Sequence, residues 1–286
     1  MKVSVIICIY NPKTYLVEQI NSIVSSFNKI CTPELIISDD STQDHSSSLL
    51  DLLNIEFSYL KGPASGSASD NFFFSLTQVD SDWVFLSDQD DTWSKVKVSR
   101  YLEHINSLDE NIPQIIFSDA ALIDSKGRCF SDSFFAYQGL STSCLSNGEI
   151  LLRNCVQGAT LCINKKMIEL VNESLKSEDM SKVVMHDWWI AILAHYCGNW
   201  TFIDEPLLNY RQHDSNVIGA SKDTNIFQRI FRNPRKYLTN VKNLKKQYQL
   251  WLRVSERLGK KSRFKQDNLK GTSFIAKIKL FFLKWF

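Results

Sequence analysis

The sequence predicts an α/β protein: a mostly parallel sheet with helices on both faces, followed by a basic helical C-terminal extension. Three observations predict it. Short β-branched apolar runs alternate with helix-periodic segments through the first half of the chain, the pattern of right-handed crossovers. Polar residues gather just after those runs, where ligands bind in open parallel sheets. The charge is also divided: residues 1–221 carry a net −13, residues 222–286 a net +15. That asymmetry sets an acidic body against a basic tail suited to an anionic surface.

The elements follow in order. "KVSVIICIY" (2–10) reads as a first core strand, and "TYLVEQINSIVSSF" repeats Leu16, Ile20, Ile23, Val24 and Phe27 at helical spacing. "ELIISDD" (34–40) is a second strand, with a short helix over 46–53. "EFSYL" (56–60) is a third, followed by the turn-rich "KGPASGSAS" and a helix over about 70–78. "DWVFLS" is the fourth, and residues 95–107 form the next helix. "QIIFSDAALID" (114–124) and "QGATLCIN" (157–164) supply further strands. "FQRIFRNPRKYLTNVKNLKKQYQLWLRVSERLGKK" reads as basic amphipathic helix broken near Asn233-Pro234.

With 286 residues, 44% of them hydrophobic and 22% charged, the chain is long enough for one large domain with an appendage. Its seven cysteines are odd in number and form no CxxC pair, so buried free thiols in a reducing compartment are expected. The apolar start is too short to span a membrane and lacks a cleavage pattern, which points to the cytoplasm. No GxGxxG and no GxxxxGK[ST] follows the first strand, which disfavours dinucleotide and P-loop chemistry.

The chemistry sits on the rim. Tyr10 and Asn11 follow the first strand, Asp39 and Asp40 the second, and Asp88, Gln89, Asp90 and Asp91 the fourth. Crowded carboxylates raise one another's cost of ionising. Asp-x-Asp suits a hard divalent ion completed by substrate phosphate, which would neutralise charge on a departing diphosphate. Asp39 and Asp40 have two readings, as caps of the next helix or as acceptors for a nucleobase or ribose. Asp187, in "MHDWWIAILAHYCGNW", is either a plain helix cap or a general base for an acceptor hydroxyl. Arg211 and His213, in "EPLLNYRQHDSNVIGA", make a phosphate or metal contact together better than either alone.

These segments, "SVIICIYN", "EQINSI", "ISDDSTQD", "FLSDQDD" before Trp93, "FSDAALID", "QGATLCIN", "HDWWIAILA" and "EPLLNYRQH" before "NVIGA", resemble in their order the family 2 glycosyltransferases. The resemblance is to the bacterial rhamnosyltransferase-like branch that builds surface polysaccharides, and it covers residues 3–220. It implies a GT-A type, Rossmann-like fold, a divalent Mn²⁺ or Mg²⁺, a nucleotide-sugar donor (dTDP-L-rhamnose or a UDP-sugar) and single-step inversion. Position by position, it implies Asp39 at the base or ribose, Tyr10 beside the nucleobase, and Asp88 and Asp90 as the Asp-x-Asp metal site. Asp187 matches the catalytic base, with His186 where Glu usually stands. Arg211 and His213 would lie against diphosphate and metal. "DDSTQD" also lacks the glycine of the commoner "DDGSTD".

The long connection over 125–156 is read either as acceptor-side lining, with Gln157 near the sugar, or as a surface loop packed by its own aromatics. In the tail, Phe274, Phe281, Phe282, Trp285 and Phe286 beside lysines favour the inner membrane surface and a lipid-linked acceptor over nucleic acid. The expected organisation is therefore a transferase domain over 1–221 and a basic, membrane-associating helical tail over 222–286. Two other readings stand beside it: a nucleotidyltransferase on a similar sheet, and a non-catalytic nucleotide-sugar-binding partner in a membrane assembly.

Overall fold

A computed structural model describes residues 1–43, 46–53, 55–176, 178–213 and 234–260. The aromatic end of the tail and "NVIGA" lie outside the described residues. The strands are β1 (Val3–Ile9), β2 (Glu34–Asp39), β3 (Ser58–Lys61), β4 (Trp83–Ser87), β5 (Thr92–Trp93), β6 (Gln114–Ile123), β7 (Cys129–Ser131), β8 (Cys162–Asn164) and β9 (Asn199–Arg211). The α-helices are α1 (Tyr15–Phe27), α2 (Ser47–Leu50), α3 (Ala68–Leu76), α4 (Lys97–Ile105), α5 (Phe134–Gln138), α6 (Ser143–Ser146), α7 (Lys165–Leu175), α8 (His186–Cys197) and α9 (Pro234–Arg257).

One sheet runs β3-β2-β1-β4-β8-β6-β9-β5, with β7 paired to β6. Strands β3, β2, β1 and β4 are parallel, as the alternating pattern predicts. Beyond β4 the sheet is mixed: β8 is antiparallel to both β4 and β6, while β9 returns parallel to β6. "QGATLCIN" explains the change. Its Gly158–Thr160 stretch turns as a 3₁₀ helix, leaving only three residues for the strand.

Strand side chains alternate between two cores. Ile6, Val84, Leu86 and Ile163 face one core, closed by Phe72 and Phe73 of α3, Met167 of α7 and Trp189 of α8. Val5, Ile7, Phe85 and Cys162 face the other, where the α1 stripe of Leu16, Ile20, Ile23 and Phe27 packs beside Val98 and Tyr101 of α4. Burial on both faces is why these strands read as unbroken apolar runs. Ser67 caps α3 through the amide of Asp70, and Asn164 caps α7 through that of Met167. No cysteine is disulfide-bonded among the described residues, and Cys8, Cys144, Cys155 and Cys162 are buried.

Helix α9 joins the first core. Its Leu250, Trp251 and Val254 are fully buried, with Trp251 set edge-on to Trp189. The Gln247 side-chain oxygen accepts the Val184 amide at 2.7 Å. Arg257 donates to the carbonyls of Glu173, Ser174 and Lys176, satisfying the open C-terminal end of α7. The boundary drawn at 221/222 from charge is therefore not a packing boundary at this helix. No helix among the described residues is long and apolar enough to cross a membrane.

Candidate active site

A cavity of about 760 Å³ opens beyond the carboxyl ends of β1, β2 and β4, a size suited to a small ligand. Tyr10 and Asn11 form one side of its mouth. The Gln89 side chain brackets Tyr10, its oxygen accepting the Tyr10 amide at 2.8 Å and its amide donating to the Tyr10 carbonyl. Asn11 takes a left-handed φ of 44°, and its amide donates to Ser41 Oγ at 2.7 Å.

Asp88 and Asp90 project from the turn after β4 into this cavity. Gln19 of α1 anchors that turn, donating to Ser87 Oγ and to the Asp88 carbonyl. Burial, then the negative charges of Asp90 and Asp187, push the Asp88 carboxyl up to about 7. His213 Nε2 stands 2.7 Å from Asp90 Oδ2, and the imidazole stacks on Tyr15 with centroids 5.6 Å apart. The structure thus brings Asp90 and His213 into contact across 123 residues of sequence. Asp91 behaves differently: it is fully buried and accepts the Arg211 amide at 2.9 Å, with its carboxyl raised well above the usual range by burial.

Two expectations need correction. Arg211 does not line the cavity. It is 2% exposed, its Nε donating to the Asp90 carbonyl at 2.8 Å, its other face over the Tyr15 ring and a terminal nitrogen on Glu18. It braces the Asp90–His213 pair from behind. Asp39 is also absent from the cavity wall, because successive side chains leave a strand on opposite sides. Its oxygens take the Ser41 amide at 2.9 Å, Ser46 Oγ at 2.6 Å and the Tyr59 hydroxyl at 3.0 Å. Asp40 lines the cavity instead, accepting the amides of Ser65 and Gly66.

Asp187 stands in the first turn of α8 and lines the same cavity. It is not the residue that caps that helix. Asn154 and the Gly158 amide each donate to its carboxylate at 3.1 Å, and burial pushes it up to about 7 against those bonds. A carboxyl there is poised near neutral pH, the condition for general base work. Gln157 and His186 flank it on the cavity wall. The 125–156 connection is structured, and Phe134, Gln138, Leu140 and Asn154 from it do line the cavity. Sequence reasoning missed Asn154 and Gln19, since a lone amide in a loop or on a helix carries no spacing signal, and it placed Gln89 on the rim without a role.

Among the described residues no set of three His, Cys, Asp or Glu side chains is gathered as a metal cluster. The expected trio of Asp88, Asp90 and His213 is therefore one contacting pair with a neighbouring carboxylate. That donor set still fits Mg²⁺ or Mn²⁺, which keep several waters and need one or two protein ligands beside substrate phosphate. After burial, the negative charges of Asp90 and Asp187 also raise the Asp88 carboxyl, and a cation would offset them.

An open sheet with acids at its carboxyl edge is suited to a phosphate-bearing ligand held with a cation. Residues 4–125 match the model of glycosyl transferase family 2. The chain is 25% identical over 233 residues to the dTDP-rhamnosyl transferase RfbG of Shigella flexneri, spanning 74% of this chain and 73% of that protein. It is 26% identical over 198 residues to an uncharacterized glycosyltransferase of Rickettsia conorii, of which it spans 31%. Solved S. aureus TarS, crystallised with UDP-GlcNAc, shares the fold at a TM-score of 0.55 and 16% identity, over 98% of this chain and 78% of that one. The chain is thus similar to glycosyl transferase family 2 over residues 4–125 and to a dTDP-rhamnosyl transferase over most of its length, and it shares the fold of TarS.

Proposed function

We propose that this glycosyltransferase moves rhamnose or a hexose, with inversion, from a nucleoside-diphosphate donor to a hydroxyl of a growing, lipid-linked surface polysaccharide. The observation that carries this reading is the placing of Asp90–His213 and Asp187 on one cavity. The dTDP-rhamnosyl activity in the name of the Shigella flexneri relative supports rhamnose as the sugar.

Tyr10, Asn11 and the Asp39–Asp40 turn border the end suited to the base and ribose. Asp88, Asp90 and His213 would hold Mn²⁺ or Mg²⁺, which supplies Lewis-acid stabilisation of the leaving diphosphate when bound. Asp187 takes the proton from the acceptor hydroxyl. The new glycosidic C–O bond forms on the face opposite the breaking bond to phosphate, and the anomeric centre inverts. Asn154 and the Gly158 amide hold the Asp187 carboxylate in place for that proton. Arg211 acts one step back, fixing the Asp90 backbone.

A cytoplasmic protein held at the inner membrane face is the location that fits a lipid-linked acceptor. The exposed Lys242, Lys246 and Arg253 of α9 support it, since each cation near an anionic leaflet contributes about 1 kcal/mol.

The test is donor turnover with dTDP-rhamnose and UDP-glucose in Mn²⁺ and in EDTA, for wild type and Asp90→Asn. Turnover that needs Mn²⁺ and is lost in the variant is expected. Equal turnover by Asp90→Asn in EDTA would overturn the metal assignment.

A further inference from the structure

Both amide atoms of Gln157 and both ring nitrogens of His186 are shielded from solvent and have no hydrogen-bond partner among the described residues. A buried polar atom left unpaired costs about 1–3 kcal/mol. The other unpaired side-chain atoms are single atoms of their residues, whereas here four fall on two side chains of one cavity wall. The two residues form one block. A Cβ added at Gly158 would stand 2.6 Å from His186 Nε2 and 3.5 Å from Asp187 Cβ, so only glycine leaves room for the imidazole. The ring lies against Phe72 with centroids 4.0 Å apart, and the His186 amide is held by Ser69 Oγ.

We propose that Gln157 and His186 form an uncharged hydrogen-bonding subsite beside Asp187 that holds adjacent hydroxyls of the donor's sugar, selecting neutral sugars over uronates. This rests on the glycosyltransferase reading above. A neutral imidazole offers one donor and one acceptor, and a primary amide offers both as well. Sugar hydroxyls are donor and acceptor in one atom, so a neighbouring pair matches this wall. Burial pushes the His186 imidazole down to about 3, which keeps it neutral at working pH. The terminal torsions of Gln and His are soft, so small rotations present these atoms to the cavity. Against the uncharged Gln157 and His186 a uronate carboxylate would gain no charge partner, and it would stand beside the Asp187 carboxyl.

The experiment is calorimetric titration in Mn²⁺ of wild type, Gln157→Leu, His186→Phe and His186→Asn. The probes are dTDP, dTDP-rhamnose, UDP, UDP-glucose and UDP-glucuronate. In wild type, at least one neutral nucleotide sugar binds about 10-fold tighter than its own diphosphate, and UDP-glucuronate binds no tighter than UDP. Gln157→Leu and His186→Phe keep the diphosphate affinity, which also shows that they fold, and lose most of that gain. His186→Asn, which restores a donor and an acceptor, recovers part of it. The proposal is overturned if both apolar variants keep the gain, if wild type shows no gain with either neutral sugar, or if UDP-glucuronate gains as UDP-glucose does. Failure of wild type to bind either diphosphate overturns the underlying transferase reading itself, and this proposal with it.

Discussion

Two aspartate groups that look alike in sequence sit in opposite surroundings. After β2, Asp39 and Asp40 have oxygens taken by hydroxyls and backbone amides, and they hold Ser41, Ser46, Ser65 and Gly66 against the sheet end. After β4, Asp88 and Asp91 are pushed up by burial and by neighbouring carboxylates. Asp90 meets an imidazole. An acid supplied with donors organises a loop; an acid left among other acids stores a demand for a cation. The difference lies in the partners, and it can be broken one residue at a time.

Asp187 carries the largest expected effect. It is supplied with donors like the first group, yet burial holds its carboxyl near 7 like the second. Asp187→Asn should lower kcat by about 10²- to 10⁴-fold, the usual worth of a positioned base. Diphosphate affinity measured by calorimetry should stay unchanged. In wild type, kcat should rise with pH through about 7, because the base acts deprotonated and burial has moved that step up from 3.8. The variant's residual rate should be flat over the same range. The linked stability has the opposite sign. Between about pH 4 and 7 the native state binds the extra proton, so the Asp187 contribution to stability falls as pH rises through that window.

Asp90→Asn comes next. It should cost about 10²-fold or more in Mn²⁺-supported transfer and weaken Mn²⁺ binding in a metal titration. The metal-free melting temperature should hold or rise, since one like charge leaves the rim. A melting temperature that fell sharply would class Asp90 with the loop-organising acids instead.

Much of this contrast was hidden in the sequence, and the reason is physical. The parallel half was legible because its inner strands β1, β2 and β4 are buried on both faces and α1 shows a clear stripe; Leu16, Ile20, Ile23 and Phe27 are buried as spaced, while Val24 is exposed. The rim was legible too, because polar residues ending apolar runs must meet at one sheet edge. What sequence could not give was direction. Adjacent Asp39 and Asp40 differ only in which side of the strand end they leave from. Arg211 and His213 part company for another reason: β9 ends at Arg211, so strand alternation no longer governs His213, and the first is buried while the second lines the cavity. Lys97 shows the limit most plainly. A helical lysine is ordinarily solvated, yet Lys97 is fully buried, donates to the Ala159 carbonyl at 3.0 Å and lies over Trp93. Within the basic segment read as amphipathic, helix α9 spans Pro234–Arg257, but periodicity does not say whether an apolar face meets lipid or protein, and Trp251 meets Trp189 and Tyr196.

The smallest effect is expected at Asp39. Asp39→Ala leaves the Ser41 amide and the Ser46 and Tyr59 hydroxyls without their acceptor. Removing an acceptor from buried donors costs about 1–3 kcal/mol, so chemical denaturation should show a loss in that range. Asp39→Asn should lose less. Its amide oxygen can still accept the Ser41 amide, and the two hydroxyls can rotate to accept from the new NH₂ group. Among the described residues three donors reach this carboxylate, which has about four acceptor positions. Titration with dTDP separates the two roles. A stability loss alone assigns Asp39 wholly to the loop. A drop in dTDP affinity at unchanged stability would return it to the nucleobase, and the contrast between the two aspartate groups would then be one of degree.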